Sequence, residues 1–224
     1  PESAIIMSID TIQEYLPIIL KGFWITVRLF LWSIIFSTAG GFILALMRIS
    51  SVAILRWTSG LIGWLFRGVP LLLILFYAFF ALPEISRSLM FDPFWAAVVG
   101  LSIWTAAYQS EAIRSGIIAV EKGQVEASEA LGMTKRYYMR RIVFPQSIRI
   151  MVPPFIGNAI NTMKQTSLAA VITVPEMTLL ARQIISEDFK VAEPLLALAS
   201  IYLVLTTLLL MVQLGLERIF RLKV

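Results

Sequence analysis

EKGQVEASEALGMTKRYYMRRIVFPQSIR, residues 121–149, is the longest polar stretch in an otherwise apolar chain of 224 residues. Gln124 to Leu131 reads as one short amphipathic helix. Ala127, Ala130 and Leu131 fall at i, i+3 and i+4 on one face, with Glu126 and Glu129 flanking it. Gly132 follows where helices commonly end in a left-handed residue. Thr134 is placed to cap a second helix, Lys135 to about Val143, which Pro145 is expected to close. A short helix with a small-residue face and a glycine turn fits two roles. It is an element that docks into a groove of another protein, or a surface elbow lying on lipid headgroups.

Outward from this stretch the composition is that of a membrane protein: 58% hydrophobic and 15% charged residues, with a mean hydropathy of +0.83. Soluble domains carry about 25% charged residues. The absence of cysteine excludes a disulfide framework and a thiolate site. The absence of histidine removes the commonest general base and metal ligand. A net charge of +5 would suggest nucleic acid in a soluble chain; here positive-inside topology accounts for it, and no nucleic-acid partner is expected. Pro1 to Glu14 lacks the basic end and short apolar core of a cleavable signal peptide.

Five stretches are long and apolar enough to span a bilayer, which takes roughly 20 residues each: 18–47, 60–82, 94–120, 150–185 and 195–216. The first exceeds one span, so its start is expected at the outer interface, with Lys21, Trp24 and Arg28 reaching the headgroups. One set of connections carries Arg48, Arg56, Lys122, Lys135, Arg136, Arg140, Arg141, Arg149, Arg218, Arg221 and Lys223. The other carries Lys21, Arg87, Arg182 and Lys190 among the acids Glu2, Asp10, Glu14, Glu84, Asp92, Glu187, Asp188 and Glu193. The bias predicts an N-terminus outside and a C-terminus inside. No repeat or linker divides the chain, so residues 1–224 are expected to form a single transmembrane domain. Gly41 with Ala45, and Ala96 with Gly100, are small-residue pairs expected to let helices approach within the chain.

Polar residues inside the spans carry the chemistry. Glu111 and Arg114 are three apart, and Glu111 lies about 25 Å below Phe94 on a helix rising 1.5 Å per residue. They read as a local ion pair with a snorkelling arginine, or as a strut holding the following loop to its helix. Arg67-Gly68-Val69-Pro70 reads as a kink inside the second span, or as its inner boundary with Arg67 at the interface. In the fourth span Asn158, Asn161, Thr162 and Gln165 recur at i, i+3, i+4 and i+7, with Lys164 on a different face at similar depth. Thr166, Ser167, Thr173 and Pro175 predict that this helix loosens. Mid-membrane polar residues commonly line a water-filled path; as interhelical glue each contributes only about 0.6–2 kcal/mol. Four on one face beside a lysine favour a path, or an interface with a second copy that forms one. Glu176 follows Pro175 without a clear place. The chain has no phosphate-binding G-x-x-x-x-G-K-[ST] loop, no H-E-x-x-H and no G-x-S-x-G.

The wording of these segments resembles a known family. Gly123-Gln124, Glu126-Ala127-Ser128, Gly132 and Phe144-Pro145-Gln146 resemble the "EAA" signature of binding-protein-dependent ABC importer permeases. Arg67-Gly68-Val69-Pro70, Glu111-Ala112-Ile113-Arg114, Asn158 and Lys164-Gln165-Thr166-Ser167-Leu168 resemble the marks of the polar amino-acid branch, the histidine, arginine and glutamine type. The sequence departs from that pattern at Ser115, Ser128 and Gln165, where the family often has glycine, alanine and aspartate. The resemblance implies an all-α, polytopic permease of the bacterial cytoplasmic membrane, with five transmembrane helices and a cytoplasmic coupling helix in the loop 121–149. It implies no catalysis and no cofactor in this chain. ATP and magnesium would sit on two ABC ATPase subunits, with a second identical or similar permease and an extracytoplasmic solute-binding protein completing the importer. Gly123, Gln124, Glu126, Ala127, Ala130, Leu131 and Gly132 would contact the ATPase. Arg67, Gly68, Pro70, Glu111 and Arg114 would support that loop. Asn158, Asn161, Thr162, Lys164, Gln165 and Ser167 would line the path of an amino acid. A stand-alone secondary transporter or channel for a small polar solute is the alternative. It predicts inverted repeats, and none is visible.

Overall fold

The computed structural model describes residues 9–220, and among them every regular element is helical. In order these are α1 Ile9–Leu20, α2 Phe23–Arg48, α3 Ala53–Gly68, α4 Leu71–Phe76, α5 Leu82–Ile85, α6 Pro93–Ile118, α7 Lys122–Ala130, α8 Lys135–Tyr138, α9 Phe144–Gln165, α10 Met177–Asp188 and α11 Ala192–Phe220. The polar start at Glu2 and the basic positions Arg221 and Lys223, used above to set orientation, lie outside the described residues.

Two helices, Phe23–Arg48 and Ala192–Ile219, are long and apolar enough to cross a membrane. The number rises to four if each of two bent pairs is one crossing: Ala53–Gly68 with Leu71–Ile85, and Lys135–Ile172 with Met177–Asp188. The expected third span, α6, has 26 residues, about 39 Å at 1.5 Å per residue. It falls outside that set because Ser102, Thr105, Gln109, Ser110, Glu111 and Arg114 dilute its apolar surface. Three of them, Ser102, Thr105 and Gln109, are buried in protein.

Three boundaries differ from those read in the sequence. The stretch 18–47 is not one helix: the chain turns at Lys21 and Gly22, so Ile18 to Leu20 close α1 and the long helix begins at Phe23. The stretch 60–82 breaks completely: α3 ends at Gly68, Val69 and Pro70 are extended, and Pro70 stands before the first turn of α4. Its helical part also starts earlier, at Ala53. Thirdly, Pro145 does not close a helix. A wide π turn, Met139–Val143, precedes it, with the Phe144 amide donating to the Met139 carbonyl. The chain then continues as α9 through Pro153 and Pro154 to Gln165. Pro83 follows a second π turn, Tyr77–Ala81, at the same offset. A proline lacks the amide proton and crowds the carbonyl four residues back. A π turn carries that carbonyl off the normal ladder, so the helix passes through.

The chain divides into two compact units, Pro1–Ile34 with Pro70–Leu101 and Asn161–Leu208, and Ile35–Val69 with Ser102–Ile160 and Leu209–Val224. In the first, α1, α10 and α11 enclose Tyr15, Ile19, Met177, Ala181, Ile184, Ala197, Leu198 and Ile201. Tyr15 donates to the Asp188 carboxylate at 2.7 Å, and that bond pushes its phenol up to about 12. Gly22 has no room for a side chain: a Cβ would stand 2.6 Å from the Met177 amide nitrogen. Ala96 is fully buried, and at Gly100 a Cβ would stand 2.8 Å from a Leu75 methyl. In the second unit Ala45, Ile113, Ile117, Val120, Tyr138 and Val143 form the core. There α2 and α6 meet through Gly41, where a Cβ would stand 2.8 Å from Cβ of Gln109. Both small-residue pairs thus serve packing inside the chain.

Candidate functional site

The polar stretch that opened the sequence folds as α7, a reversal and α8. Within α7 the Ser128 hydroxyl is buried and donates to the Gln124 carbonyl at 2.6 Å. The helix ends in a tight double closure: the Gly132 amide donates to Glu129 at 2.9 Å and the Met133 amide to Ser128 at 3.1 Å. That pairing satisfies two end carbonyls and requires the left-handed φ of 73° seen at Gly132. Thr134 precedes α8 as expected, although its side chain makes no capping bond.

The inward face of α7 is the one the sequence reading missed. Val125 and Met133 pack on the Tyr138–Val120 cluster, and the Tyr138 hydroxyl donates to Glu129 at 3.1 Å. Val125 and Ser128, at i and i+3, were the available signal. The outward face carries the predicted coupling residues: Gly123, Gln124, Glu126, Ala127, Ala130, Leu131 and Gly132 are all exposed. Leu131 keeps 77% of its surface free, a large share for a leucine.

Arg67, Glu111 and Arg114 come together. The Arg114 Nε lies 3.2 Å from both Glu111 oxygens, and Arg67 approaches the same carboxylate at 3.6 Å. Arg67 also donates to the Gly63 carbonyl at 2.9 Å, while its own carbonyl accepts from Tyr108 at 3.4 Å. These side chains are 30–41% exposed, so the pairs contribute at most about 1 kcal/mol each. Their effect is to tie the end of α3 to α6. Gly68 has no neighbour near its Cβ position and Pro70 stands ahead of the next helix, so neither joins the cluster.

The polar residues of α9 do not form one exposed row. In the second unit Asn158 is half-buried and its amide donates to Gln109 at 3.5 Å. Gln109 is fully buried and donates in turn to the Phe155 carbonyl at 3.3 Å. It is a bridging residue that sequence reasoning passed over; a lone glutamine after Ala106 and Ala107 was its only mark. In the first unit Asn161 and Lys164 are exposed, Gln165 is half-buried and Thr162 is fully buried. Lys164 and Asn161 are thus both open, and Thr162 lies away from any open surface.

The predicted loosening is present. Thr166–Ile172 is a 3-10 segment, and Thr173 closes it with a left-handed φ of 64°. The Ser167 hydroxyl donates to the Lys164 carbonyl at 2.8 Å. Glu176, unplaced by the sequence, is fully buried. Its carboxylate caps α10 by accepting from the Leu179 amide at 3.0 Å and accepts from Tyr202 at 3.1 Å. Among the described residues no group of acids could hold a metal ion.

A family model for the binding-protein-dependent transport system inner membrane component matches residues 37–221. The chain is 38% identical over 205 residues to the probable amino-acid ABC transporter permease protein PatM of Vibrio harveyi, covering 91% of this chain and 92% of that one. It is 40% identical over 189 residues to the probable amino-acid ABC transporter permease protein YckA of Bacillus subtilis, covering 84% and 83%. Among solved structures, a crystal structure of an amino acid ABC transporter with histidines superposes with a TM-score of 0.87 at 30% identity, covering 94% of this chain and 98% of that one. Such permeases work with a separate ATPase subunit and a binding protein and are not themselves enzymes. A chain helical in every regular element of its described residues, with helices long and apolar enough to cross a membrane, no phosphate loop in its sequence and this match across most of its length, belongs to the binding-protein-dependent transport system inner membrane component family, as a permease subunit of an ABC importer.

Proposed function

We propose that the whole chain acts as one transmembrane domain that moves an amino acid inward across the bacterial cytoplasmic membrane. The observation that carries the mechanism is α7: a short helix anchored from below by Val125, Ser128 and Glu129, sharply terminated at Gly132, and open on its outer face. A rigid element with an unpartnered small-residue face suits a groove on an ATPase. In this reading ATP and magnesium bind two partner ATPase subunits, and their closure pushes Gly123, Gln124, Glu126, Ala127, Ala130, Leu131 and Gly132. Arg67, Glu111 and Arg114 carry that push from the loop's end of α6 to α3. Two permeases, identical or similar, then alternate between inward and outward access, and a solute-binding protein delivers from outside.

The membrane count in this reading is five: α2, the α3–α5 stretch, α6, α9 with its 3-10 extension, and α11, with the N-terminus outside. The polar residues of α6 are no obstacle where they face protein. Asn161, Lys164 and Gln165 supply the path, with Ser167 following them; Thr162, fully buried, and Asn158, bonded to Gln109, do not line it. An amino acid needs acceptors for its ammonium and donors for its carboxylate; amides offer both and lysine adds donors.

Reconstitution tests this directly. Vesicles holding the permease with its ATPase are expected to take up a radiolabelled amino acid only with ATP inside and binding protein outside. Uptake by the permease alone, driven by an ion gradient, overturns the reading. A cysteine at Tyr137 is expected to label only from the cytoplasm and one at Asp188 only from outside; labelling of both from one side sinks the five-span orientation.

A further inference from the structure

Arg48 closes α2 and Arg56 lies in the first turns of α3. With the far end of α6 they surround an open cavity of about 590 Å³, lined by Arg48, Ile49, Arg56, Trp57, Arg114 and Ile118. Three guanidinium groups and no carboxylate line it. The nearest acid in play is Glu111, already shared between Arg114 and Arg67. Among the described residues no carboxylate lies within salt-bridge distance of Arg48 or Arg56, although Arg48 also acts on Glu111 at longer range. Each is held through Nη1 on backbone carbonyls: Arg48 on Arg56 at 2.9 Å, and Arg56 on Ser50 and Ser51 at 3.0 and 3.2 Å. Those bonds fix the guanidinium planes while Nε and Nη2 stay available, out of five donors on each side chain. Gly60 provides the seat: a Cβ there would stand 3.0 Å from Cζ of Arg48.

The walls are apolar. Trp57 is 76% exposed and Ile118 57%, and Ile54, Leu61 and Trp64 continue the exposed face of α3 at helical spacing. Tryptophan beside arginine at the end of a membrane-crossing helix is the pattern of the headgroup layer. We propose that this cavity binds the phosphate of an anionic glycerophospholipid, with Arg48, Arg56 and Arg114 on the phosphate and an acyl chain along Trp57 and Ile118. A free phosphate shares the charged half of this chemistry but makes no use of the apolar wall. Ile49 also packs on the cluster containing Tyr138 and Val120. The cavity therefore opens at the end of its unit that carries α7, and with the orientation proposed above this is the cytoplasmic leaflet. The site does not depend on which solute is moved.

Native mass spectrometry of the purified permease–ATPase complex in mixed micelles of phosphatidylglycerol and phosphatidylcholine tests it. Phosphatidylglycerol is expected to be retained over phosphatidylcholine. Arg48→Gln with Arg56→Gln is expected to weaken its binding about thirtyfold, roughly fivefold for each arginine at a lipid surface. Arg48→Lys with Arg56→Lys keeps the charge and is expected to keep most of the binding. Equal retention of the two lipids overturns the proposal, as does unchanged binding in the glutamine pair. So does an equal loss in both pairs, which would assign the effect to the backbone bonds of the turn. Displacement of the lipid by inorganic phosphate at equal concentration would make this a free-anion site and overturn the lipid assignment.

Discussion

Among the described residues a left-handed residue stops a helix at Gly132, Thr173 and Phe189, and the first two have opposite surroundings. At Thr173, φ 64°, the reversal is packed shut behind it: Val174, Glu176 and Met177 are fully buried. Leu179 and Tyr202 donate to Glu176, the Met177 amide donates to Thr26 at 3.3 Å, and Gly22 presses against the same backbone. At Gly132, φ 73°, nothing lies within 4 Å of the position a Cβ would take, and Leu131 beside it stands out from the surface. A turn whose polar groups are satisfied inside the chain has no bonding capacity left for a partner. A turn that exposes a leucine and two alanines leaves an apolar face free to meet a partner. On the function proposed above, the first maintains the fold and the second is the one offered to the ATPase, although their backbones are alike.

Substitution should separate them, and the largest change in stability is expected at the closed turn. Glu176→Leu removes the cap of α10, worth about 1 kcal/mol, and leaves the Leu179 amide unpaired and Tyr202 with only Thr166 at 3.4 Å, at about 1–3 kcal/mol. Thermal unfolding of the purified complex is expected to show a loss of about 3 kcal/mol. Glu176→Gln keeps an acceptor and should lose about a third of that. An unchanged melting temperature for Glu176→Leu would erase the distinction between the two turns.

Gly132→Val comes next. A β-branched residue resists positive φ at a cost of roughly 1–2 kcal/mol, confined here to an exposed loop. Membrane insertion and the melting temperature are expected to stay close to the parent's, whereas uptake falls to background and the ATPase is lost more readily on washing. Normal uptake with the ATPase still attached would refute a coupling role for this turn.

The open turn was legible in the sequence; of the closed one only the loosening of the helix was, and not what packs against it. Ala127, Ala130, Leu131 and Gly132 announce a helix and its stop within a dozen residues, because periodicity and a glycine at the end are local signals. Gly41 with Ala45 and Ala96 with Gly100 were readable for the same reason: a missing side chain shows where backbones meet. Glu176 gave no such sign, since what defines it lies at Tyr202, 26 residues on, and at Gly22, far earlier in the chain. The Gln109–Asn158 bond joins residues 49 apart, and the approach of Arg67 to Glu111 is likewise long-range. Pro145 misled because a proline's local meaning was overridden by the π turn before it. The excess length of 18–47 and Lys21 showed that its start lies apart from the span, but not that the chain turns at Lys21 and Gly22 into a separate helix.

The smallest expected change in stability is at Asn161, and it decides whether the exposed polar edge of the first unit is a path or packing. Asn161 and Lys164 are exposed, and Gln165 is half-buried. Exposed positions of a helix change stability by about 0.5 kcal/mol or less on substitution, and leucine is the better helix former, so Asn161→Leu should assemble and melt like the parent. If its amide bonds a passing solute, losing one bond of about 1–1.5 kcal/mol lowers uptake about tenfold, with no change in what the external binding protein holds. Thr162→Val is the internal control: fully buried, it should lose about 1 kcal/mol of stability and leave the uptake of assembled transporter unaltered in selectivity. A cysteine at Asn161 in an active background sharpens the test, because bound solute should slow its modification. If cysteines at Asn161 and Gln165 are modified equally fast with and without solute while transport continues, the edge is a surface that the solute never touches. The path must then be sought among the backbone groups freed by the 3-10 segment Thr166–Ile172.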